Sequence, residues 1–326
     1  MNATNKVLVV GASGGIGGEV ARQLRDAGWQ VRGLKRQLGA PVVHKDGIEW
    51  RDGDAMNAAD VAKAAAGCCV IVHAVNPPGY RRWGELVLPM LDNTIAAARA
   101  NRATIVLPGT VYNYGPDAFP LISEDAPQQP RTRKGAIRVD MERRLEAAAA
   151  SGEARVIIVR AGDFFGPSAG NSWFAQGMVK PGQPVKLVNL PGPGVGHQFA
   201  YLPDVAQTML RLLARRDALP AFARYHMQGH WDADGSQLAQ SVQRVVAQQG
   251  GGKPAIKPFP WWMIRLASPL VATLRELLEM RYLWREPVRM DNARLVAVLG
   301  EEPHTPLDVA VKNTLVGMGC LPAAAA

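Results

Sequence analysis

Four consecutive apolar residues, Val7-Leu8-Val9-Val10, run directly into Gly11-Ala12-Ser13-Gly14-Gly15-Ile16-Gly17 and then into a helical stripe, which leaves few folds open to the chain. Gly11 suits the tight turn off a strand, Gly14 lets backbone approach an anion, and Gly17 lets the next helix pack close to the sheet. That helix is written by Ile16, Val20, Leu24 and Ala27 on one face and Arg22, Gln23, Arg25 and Asp26 on the other, with Gly28 as its stop. Its first amides and positive dipole end would point at the anion, as in a dinucleotide pyrophosphate site. An ordinary glycine-rich turn is the alternative, but a strand before, a helix after and a second strand over 31–34 all favour the nucleotide reading. The expected phosphate-loop residues are therefore Gly11, Ser13, Gly14, Gly15, Ile16 and Gly17.

Up to residue 165 the pattern alternates strand and helix, which predicts an α/β fold with a Rossmann-type, doubly wound parallel sheet. Strands are expected near 7–10, 31–34, 48–50, 70–73, 104–107 and 156–159, with helices near 15–27, 58–66, 84–100 and 135–150. Asn57 and Gly67 bracket the second of these helices as cap and stop. From 166 to 326 the texture changes to proline- and glycine-rich segments between short elements, predicting a smaller α+β substrate-binding part that covers a cleft and returns some segments to the main sheet. It contains a helix over 204–215, a strand-like 224–228, a helix near 236–248 and a Trp-rich helical tail from Pro260.

Composition excludes some classes and leaves others. The chain has 326 residues, enough for one large or two modest domains, and no apolar run of membrane-spanning length. Trp261 to Leu278, the best candidate, is interrupted by Arg265, Pro269, Arg275 and Glu276. No early apolar run resembles a signal peptide, so a cytoplasmic protein without a membrane partner is expected. Cys68, Cys69 and Cys320 lack metal-ligand spacing and read as buried, reduced thiols. The net charge of +9 would suit an anionic partner, but the basic residues fall in pairs such as Arg81-Arg82, Arg143-Arg144 and Arg215-Arg216, and a cluster of Arg131, Arg133 and Lys134. No basic face interleaved with aromatics appears, which speaks against nucleic acid.

At the end of the second strand, roughly 20 residues past the glycines, an acidic residue would bind ribose hydroxyls and a basic one a 2′-phosphate. Lys35-Arg36 stands there, with no carboxylate until Asp46, which favours NADP over NAD; Arg36 is the better phosphate partner because a guanidinium can engage it bidentately. A pair of solvent-facing charges is the alternative.

With these features the chain resembles the extended or atypical short-chain dehydrogenase/reductase superfamily, the group of sugar-nucleotide epimerases and dehydratases. The motifs that carry the resemblance are Gly11-x-x-Gly14-x-x-Gly17, Gly53-Asp54, Val70-Ile71-Val72-His73-Ala74, Val111-Tyr112, Arg160 to Gly166-Pro167, and Leu202-Pro203-Asp204-Val205-Ala206. The resemblance implies that Asp54 lies beside the adenine, that Ala74 and Val75 line the cofactor, that Gly162 to Phe165 cover the nicotinamide end with Phe164 in contact, and that the protein is a monomer or homodimer. Asp54 is equally a turn or cap residue on local grounds, and Phe164-Phe165 equally core.

The reaction centre departs from the family pattern. Members use Tyr-x-x-x-Lys on the helix before the sixth strand, the neighbouring cation lowering the tyrosine pKa, with a Ser or Thr at the end of the fifth strand. Counting back from Glu142 puts Lys134 at the tyrosine position and Arg138 at the lysine position; proline stands at the serine position, with Thr110 two residues on. Either the centre is rebuilt, with Lys134 or Tyr112 exchanging the proton, Thr110 beside them and Arg138 holding ribose or phosphate, or binding persists without catalysis. Two cations on one helical face would suit Lys134 to proton exchange, and Lys-x-x-x-Arg is also the pattern of a solvated helix face. His73 reads as a satisfied buried histidine, His197 as a turn residue or substrate contact, and Trp173, Phe174, Trp261 and Trp262 as pocket lining or as core. No metal set is expected. These readings predict an NADP-dependent oxidoreductase or epimerase/dehydratase-like enzyme acting on a small molecule, or else a silent NADP-binding sensor or scaffold.

Overall fold

Strands whose side chains are apolar on both faces must be covered on both faces, and here Val7–Val9 and Val70–Val72 are wholly buried. The computed structural model describes residues 5–77 and 82–322, so Arg81 and the terminal alanines lie outside the described residues. The first half runs β1 (Lys6–Val10), α1 (Gly15–Asp26), β2 (Gln30–Lys35), β3 (Val42–Lys45), β4 (Ile48–Asp52), α2 (Ala58–Ala65), β5 (Val70–His73), α3 (Trp83–Asn101), β6 (Thr104–Gly109), β7 (Leu121–Ile122), α4 (Arg133–Ala150) and β8 (Arg155–Arg160). Then follow β9 (Asp163–Phe165), β10 (Leu187–Leu190), β11 (His197–Tyr201), α5 (Leu202–Leu213), β12 (Phe222–His226), β13 (His230–Asp232), α6 (Gln237–Gln248), β14 (Ala255–Pro258), α7 (Trp261–Ala267), α8 (Ala272–Glu279), β15 (Arg289–Met290), α9 (Ala293–Leu299) and α10 (Leu307–Gly317).

The central sheet has eight strands in the order β12-β8-β6-β5-β1-β2-β4-β3. Its neighbours pair in parallel except β3 and β4. That antiparallel edge strand is absent from the sequence reading. It is made by a hairpin at Asp46-Gly47, both residues at positive φ, the conformation a two-residue hairpin turn requires. Helices cover both faces, α2, α3 and α4 on one and α1 and α5 on the other, each through its own apolar cluster. Strand order reverses at β1, which pairs β2 on one side and β5 on the other, so the crevice beyond their carboxyl ends is a topological switch point.

The later segments return to this sheet: β12 pairs β8, and α5 packs on α1. The rest builds a third core from β10, β11, α6 and α10, with aromatics from 173–174 and 284. Phe174 is buried in it, and Trp173 stacks on Trp261 at 5.6 Å between ring centres and leans on Trp284 at 5.2 Å, so these three of the four flagged aromatics are core. Trp262 points outward.

Buried histidines punctuate the strand ends. His73 closes β5 with its Nδ1 2.8 Å from Thr94 Oγ1, and burial, reinforced by the Arg138 charge, pushes its pKa down to about 3. Burial, with a smaller contribution from His304, takes His230 to about 4; burial and then Arg160 hold His226 well below its ordinary 6.5. Below pH 6.5 the unfolded chain binds protons at these sites that the folded chain refuses, so their contribution is complete above 6.5 and is lost as pH falls towards 4. Each histidine should add a slope of up to about 1.4 kcal/mol per pH unit. Urea unfolding between pH 6.5 and 5 should show stability falling with acid, and His73→Asn should flatten the slope by about one proton; equal slopes in the two proteins would refute the assignment.

Candidate functional site

The glycine loop leaves β1 at Gly11, φ +95°, where a Cβ would lie 2.6 Å from the Ala74 carbonyl carbon. At Gly17 a Cβ would come within 2.2 Å of the Gly11 carbonyl oxygen, so α1 can begin against the strand end only because no side chain is there. Gly14 N–H donates to Gly11 O at 2.9 Å, and Gly14 stands in extended backbone immediately before the helix. No side chain caps α1, which leaves its first-turn amides to an external acceptor. Ser13 and Gly14 are exposed, Gly15 and Ile16 half-buried, and a Cβ on Gly15 would meet Ser168 O at 3.0 Å. Ala74 and Val75, both half-buried, form the opposite wall. A cavity of about 590 Å³ opens beside the loop, touching Ser13, Gly14, Ser168, Tyr201 and Asn313. The missing Cβ atoms at Gly11, Gly15 and Gly17, with the uncapped first turn of α1, leave a backbone cradle of the kind that suits a diphosphate.

At the end of β2, Lys35 and Arg36 are exposed, and Arg36 keeps 69% of its side chain in solvent while reaching 3.9 Å from Asp54 Oδ2. Asp54 also accepts from the Met56 amide at 3.0 Å, which makes it a turn residue as the local alternative had it, with one oxygen directed at Arg36.

The helix-face alternative for Lys134 and Arg138 is overturned, because α4 buries both: Lys134 is 2% exposed and Arg138 9%. Nor are the two cations each other's principal neighbours. Lys134 Nζ lies 2.5 Å from Glu276 Oε2 and 3.8 Å from Glu279 Oε2, and donates to the Glu276 carbonyl at 3.2 Å. The Glu279 carboxylate accepts from the Arg133 amide at 2.7 Å, so α8 is latched to the first turn of α4. Arg138 stacks over Trp83 at 5.1 Å and reaches Asn76 Oδ1 at 3.5 Å. Tyr112 is half-buried, and its main chain packs against the first turn of α4: a Cβ on Gly135 would touch the Tyr112 carbonyl oxygen at 2.2 Å. Thr110 is half-buried with Oγ1 3.4 Å from Asn113 Oδ1. Phe164 packs half-buried against the α1/α5 side of the core.

Beneath these residues lies a buried polar network that the sequence reading did not assemble. Arg160, fully buried at the end of β8, donates to both Glu142 oxygens at 2.6 and 2.8 Å, to His226 Nε2 at 3.1 Å, and to the Thr110 carbonyl. Glu142 also accepts from Asn113 at 2.9 Å and Gln128 at 2.8 Å. Tyr114 lies under the Arg160 guanidinium at 5.0 Å with its hydroxyl 3.3 Å from His226. Burial alone would lower the Arg160 pKa, but the Glu142 charge, with hydrogen bonds from Glu142 and Tyr114, outweighs it and raises the value. A second pair, His197 Nε2 to Asp163 Oδ2 at 2.7 Å, is backed by Trp284 stacked on the imidazole at 3.7 Å, so His197 is a held residue and not a loose turn. Among the described residues no cluster of three or more potential metal ligands occurs, and the three cysteines carry no disulfide.

A glycine cradle at the switch point of a doubly wound sheet defines a Rossmann protein with a dinucleotide-type site. A sequence model of the NAD dependent epimerase/dehydratase family matches residues 7–227, and the chain belongs to that family. It is 28% identical over 182 residues to "Uncharacterized protein y4nL" of Sinorhizobium fredii (strain NBRC 101917 / NGR234); the match covers 50% of this chain and 51% of that protein, so the chain spans about half the length of this curated relative. Among solved structures, "MoeE5 in complex with UDP-glucose and NAD" superposes with TM-score 0.71 at 19% identity, covering 96% of this chain and 98% of that one. "UDP-glucose 4-epimerase from Bifidobacterium longum in complex with NAD+ and UDP" gives 0.71 at 15%, covering 95% and 97%. At these identities the likeness establishes a shared fold.

Two outcomes test the site's construction. Gly17→Ala should weaken binding of either nicotinamide dinucleotide about ten-fold or more in calorimetry, because the new methyl displaces the turn that aims the helix amides; unchanged affinity would remove the cradle from the site. Glu142→Ala, by stranding Arg160, should cost about 3–5 kcal/mol of unfolding free energy, and a loss below about 1 kcal/mol would show that the pair is not structural.

Proposed function

We propose that the chain is an NADP-binding oxidoreductase or epimerase/dehydratase-like enzyme acting at a hydroxyl- or carbonyl-bearing carbon of a small molecule. The observation that carries this reading is the glycine cradle, closed on Ala74 and Val75, at the sheet's switch point. When bound, the coenzyme supplies the hydride acceptor or donor. In this reading Gly11, Ser13, Gly14, Gly15, Ile16 and Gly17 hold the pyrophosphate, Lys35 and Arg36 meet a 2′-phosphate, Asp54 neighbours the adenine, and Phe164 flanks the nicotinamide end. Residues 166–326 form the substrate-binding part over the 1–165 dinucleotide-binding domain. The preference for NADP rests on two exposed cations and on the lack of a carboxylate from 35 to 38. NAD is the molecule named with the solved neighbours, so the phosphate is the point at issue.

In this reading Lys134 exchanges a proton at the reacting end; its Nζ forms an ion pair with Glu276 Oε2 at 2.5 Å and donates to the Glu276 carbonyl at 3.2 Å. As a carbonyl carbon is reduced, its oxygen takes that proton from Lys134; in the oxidative direction the hydroxyl proton passes to the amine, with Glu276 as the next acceptor. In the same reading Tyr112 and Thr110 are the candidate hydroxyls, and Arg138 is the candidate for holding ribose or phosphate. The second reading, binding without turnover, draws on the same ion pair, because a half-buried carboxylate of α8 sits on the group that stands where the family has its tyrosine.

Calorimetry should show NADP bound more tightly than NAD by the wild type. Arg36→Ala should weaken NADP about 10- to 100-fold, the value of a charge-assisted hydrogen bond, and leave NAD unchanged. Equal loss for both, or none, would refute the 2′-phosphate assignment. NADPH oxidation across a carbonyl panel that is abolished by Lys134→Met supports the enzyme; binding with no consumption supports the silent reading.

A further inference from the structure

Ten large hydrophobic side chains are conspicuously exposed among the described residues, and five of them, Trp262, Met263, Leu266, Leu270 and Val271, fall on one short stretch of α7 and the turn that follows. Trp262, Leu266 and Leu270 recur every four positions and are 66%, 72% and 90% exposed, so they form a single apolar ridge rather than scattered surface residues. The underside of the same helix is anchored: Trp261 donates from Nε1 to the Pro191 carbonyl at 2.7 Å and lies in the aromatic stack with Trp173. The ridge is held outward by that anchor.

The charges around the ridge are sorted by sign. From Trp261 to Glu286 the segment carries Arg265, Arg275, Arg281 and Arg285 against Glu276, Glu279 and Glu286. Glu276 and Glu279 are turned inward onto Lys134 and Arg133. Arg265, Arg275 and Arg285 are exposed, while Arg281 lies over the Trp261 ring at 5.1 Å. Burial first, and then repulsion from Arg285 and Arg265, lowers the Arg281 pKa, which places those three guanidiniums within one another's field. An exposed Trp and aliphatic ridge bordered by arginines, with Glu276 and Glu279 turned inward, is the chemistry of an interfacial amphipathic segment.

We infer that the α7–α8 segment is a docking surface for an anionic phospholipid bilayer, with the Trp262-Leu266-Leu270 ridge inserted at the headgroup boundary and the arginines on the phosphates. No described helix is long and apolar enough to cross a membrane, and this mode needs none. The spanning-length criterion that led to an expectation of no membrane partner does not detect an interfacial helix. Charge complementarity selects lipid over a second copy of the chain, since apposing two such faces would bring the arginine clusters together. The inference stands on the surface alone and does not depend on the coenzyme reading.

The test is sedimentation of the full chain with phosphatidylcholine vesicles, with and without about one quarter phosphatidylglycerol. Binding should appear with the anionic vesicles, weaken as salt is added, and blue-shift an indole emission that Trp262→Phe removes. Leu266→Ser with Leu270→Ser should lower the partition about ten-fold or more, as should Arg265→Gln with Arg285→Gln, each with an unchanged thermal midpoint because the altered side chains are exposed. Equal partition into neutral and anionic vesicles, no partition at all, or partition unaffected by the variants would overturn the proposal. So would light scattering showing a dimer that Leu270→Glu dissociates, which would give the ridge to a second copy.

Discussion

The contact on which the rest of the architecture depends is the approach of Gly17 to the carbonyl of Gly11. A Cβ there would stand 2.2 Å from the oxygen, far inside van der Waals distance, so any side chain would push α1 off the strand end. Because the helix can start at that point, its first amides converge on the crevice where β1 parts from β2 and β5. The same constraint recurs at Gly11, whose absent side chain admits the Ala74-Val75 main chain. Two strands and a helix terminus thus meet within one backbone thickness, and the first-turn amides that result are left to an external acceptor.

The second organising interaction is the Glu142–Arg160 pair. Burying both charges is unfavourable unless every polar atom finds a partner, and here Glu142 also accepts from Asn113 and Gln128 while Arg160 spends its remaining donors on His226 and the Thr110 carbonyl. The pair ties α4 to β8 and the chain after β6, which is the frame that carries positions 134 and 138.

Much of the fold was legible because its signals are local. Apolar runs at 7–10 and 70–73, the glycine triplet, Asn57 as a cap whose side chain accepts from the amides of Ala59 and Asp60, and Gly67 at positive φ each act within a few residues. The edge strand β3 escaped although Asp46-Gly47 is a local hairpin signal, since Val42–Lys45 is short and largely exposed and shows no buried face. The site was legible only in part. Which groups surround Lys134 depends on Glu276 and Glu279, more than 140 residues away and brought in by the packing of α8. The Arg160–His226–Tyr114 cluster likewise joins three strand-end segments that no spacing rule connects.

Those long-range partners change the reading of Lys134. Considered with only Arg138 four residues on, it suggests two like charges in competition; with Glu276 at 2.5 Å it is one half of an ion pair between α4 and α8. The couple is formed by α4 and α8 together, so any displacement of α8 separates its members. The surroundings of Lys134 and the seating of α8 are therefore one property of the molecule, and the segment that seats α8 is the one whose outer face presents the apolar ridge.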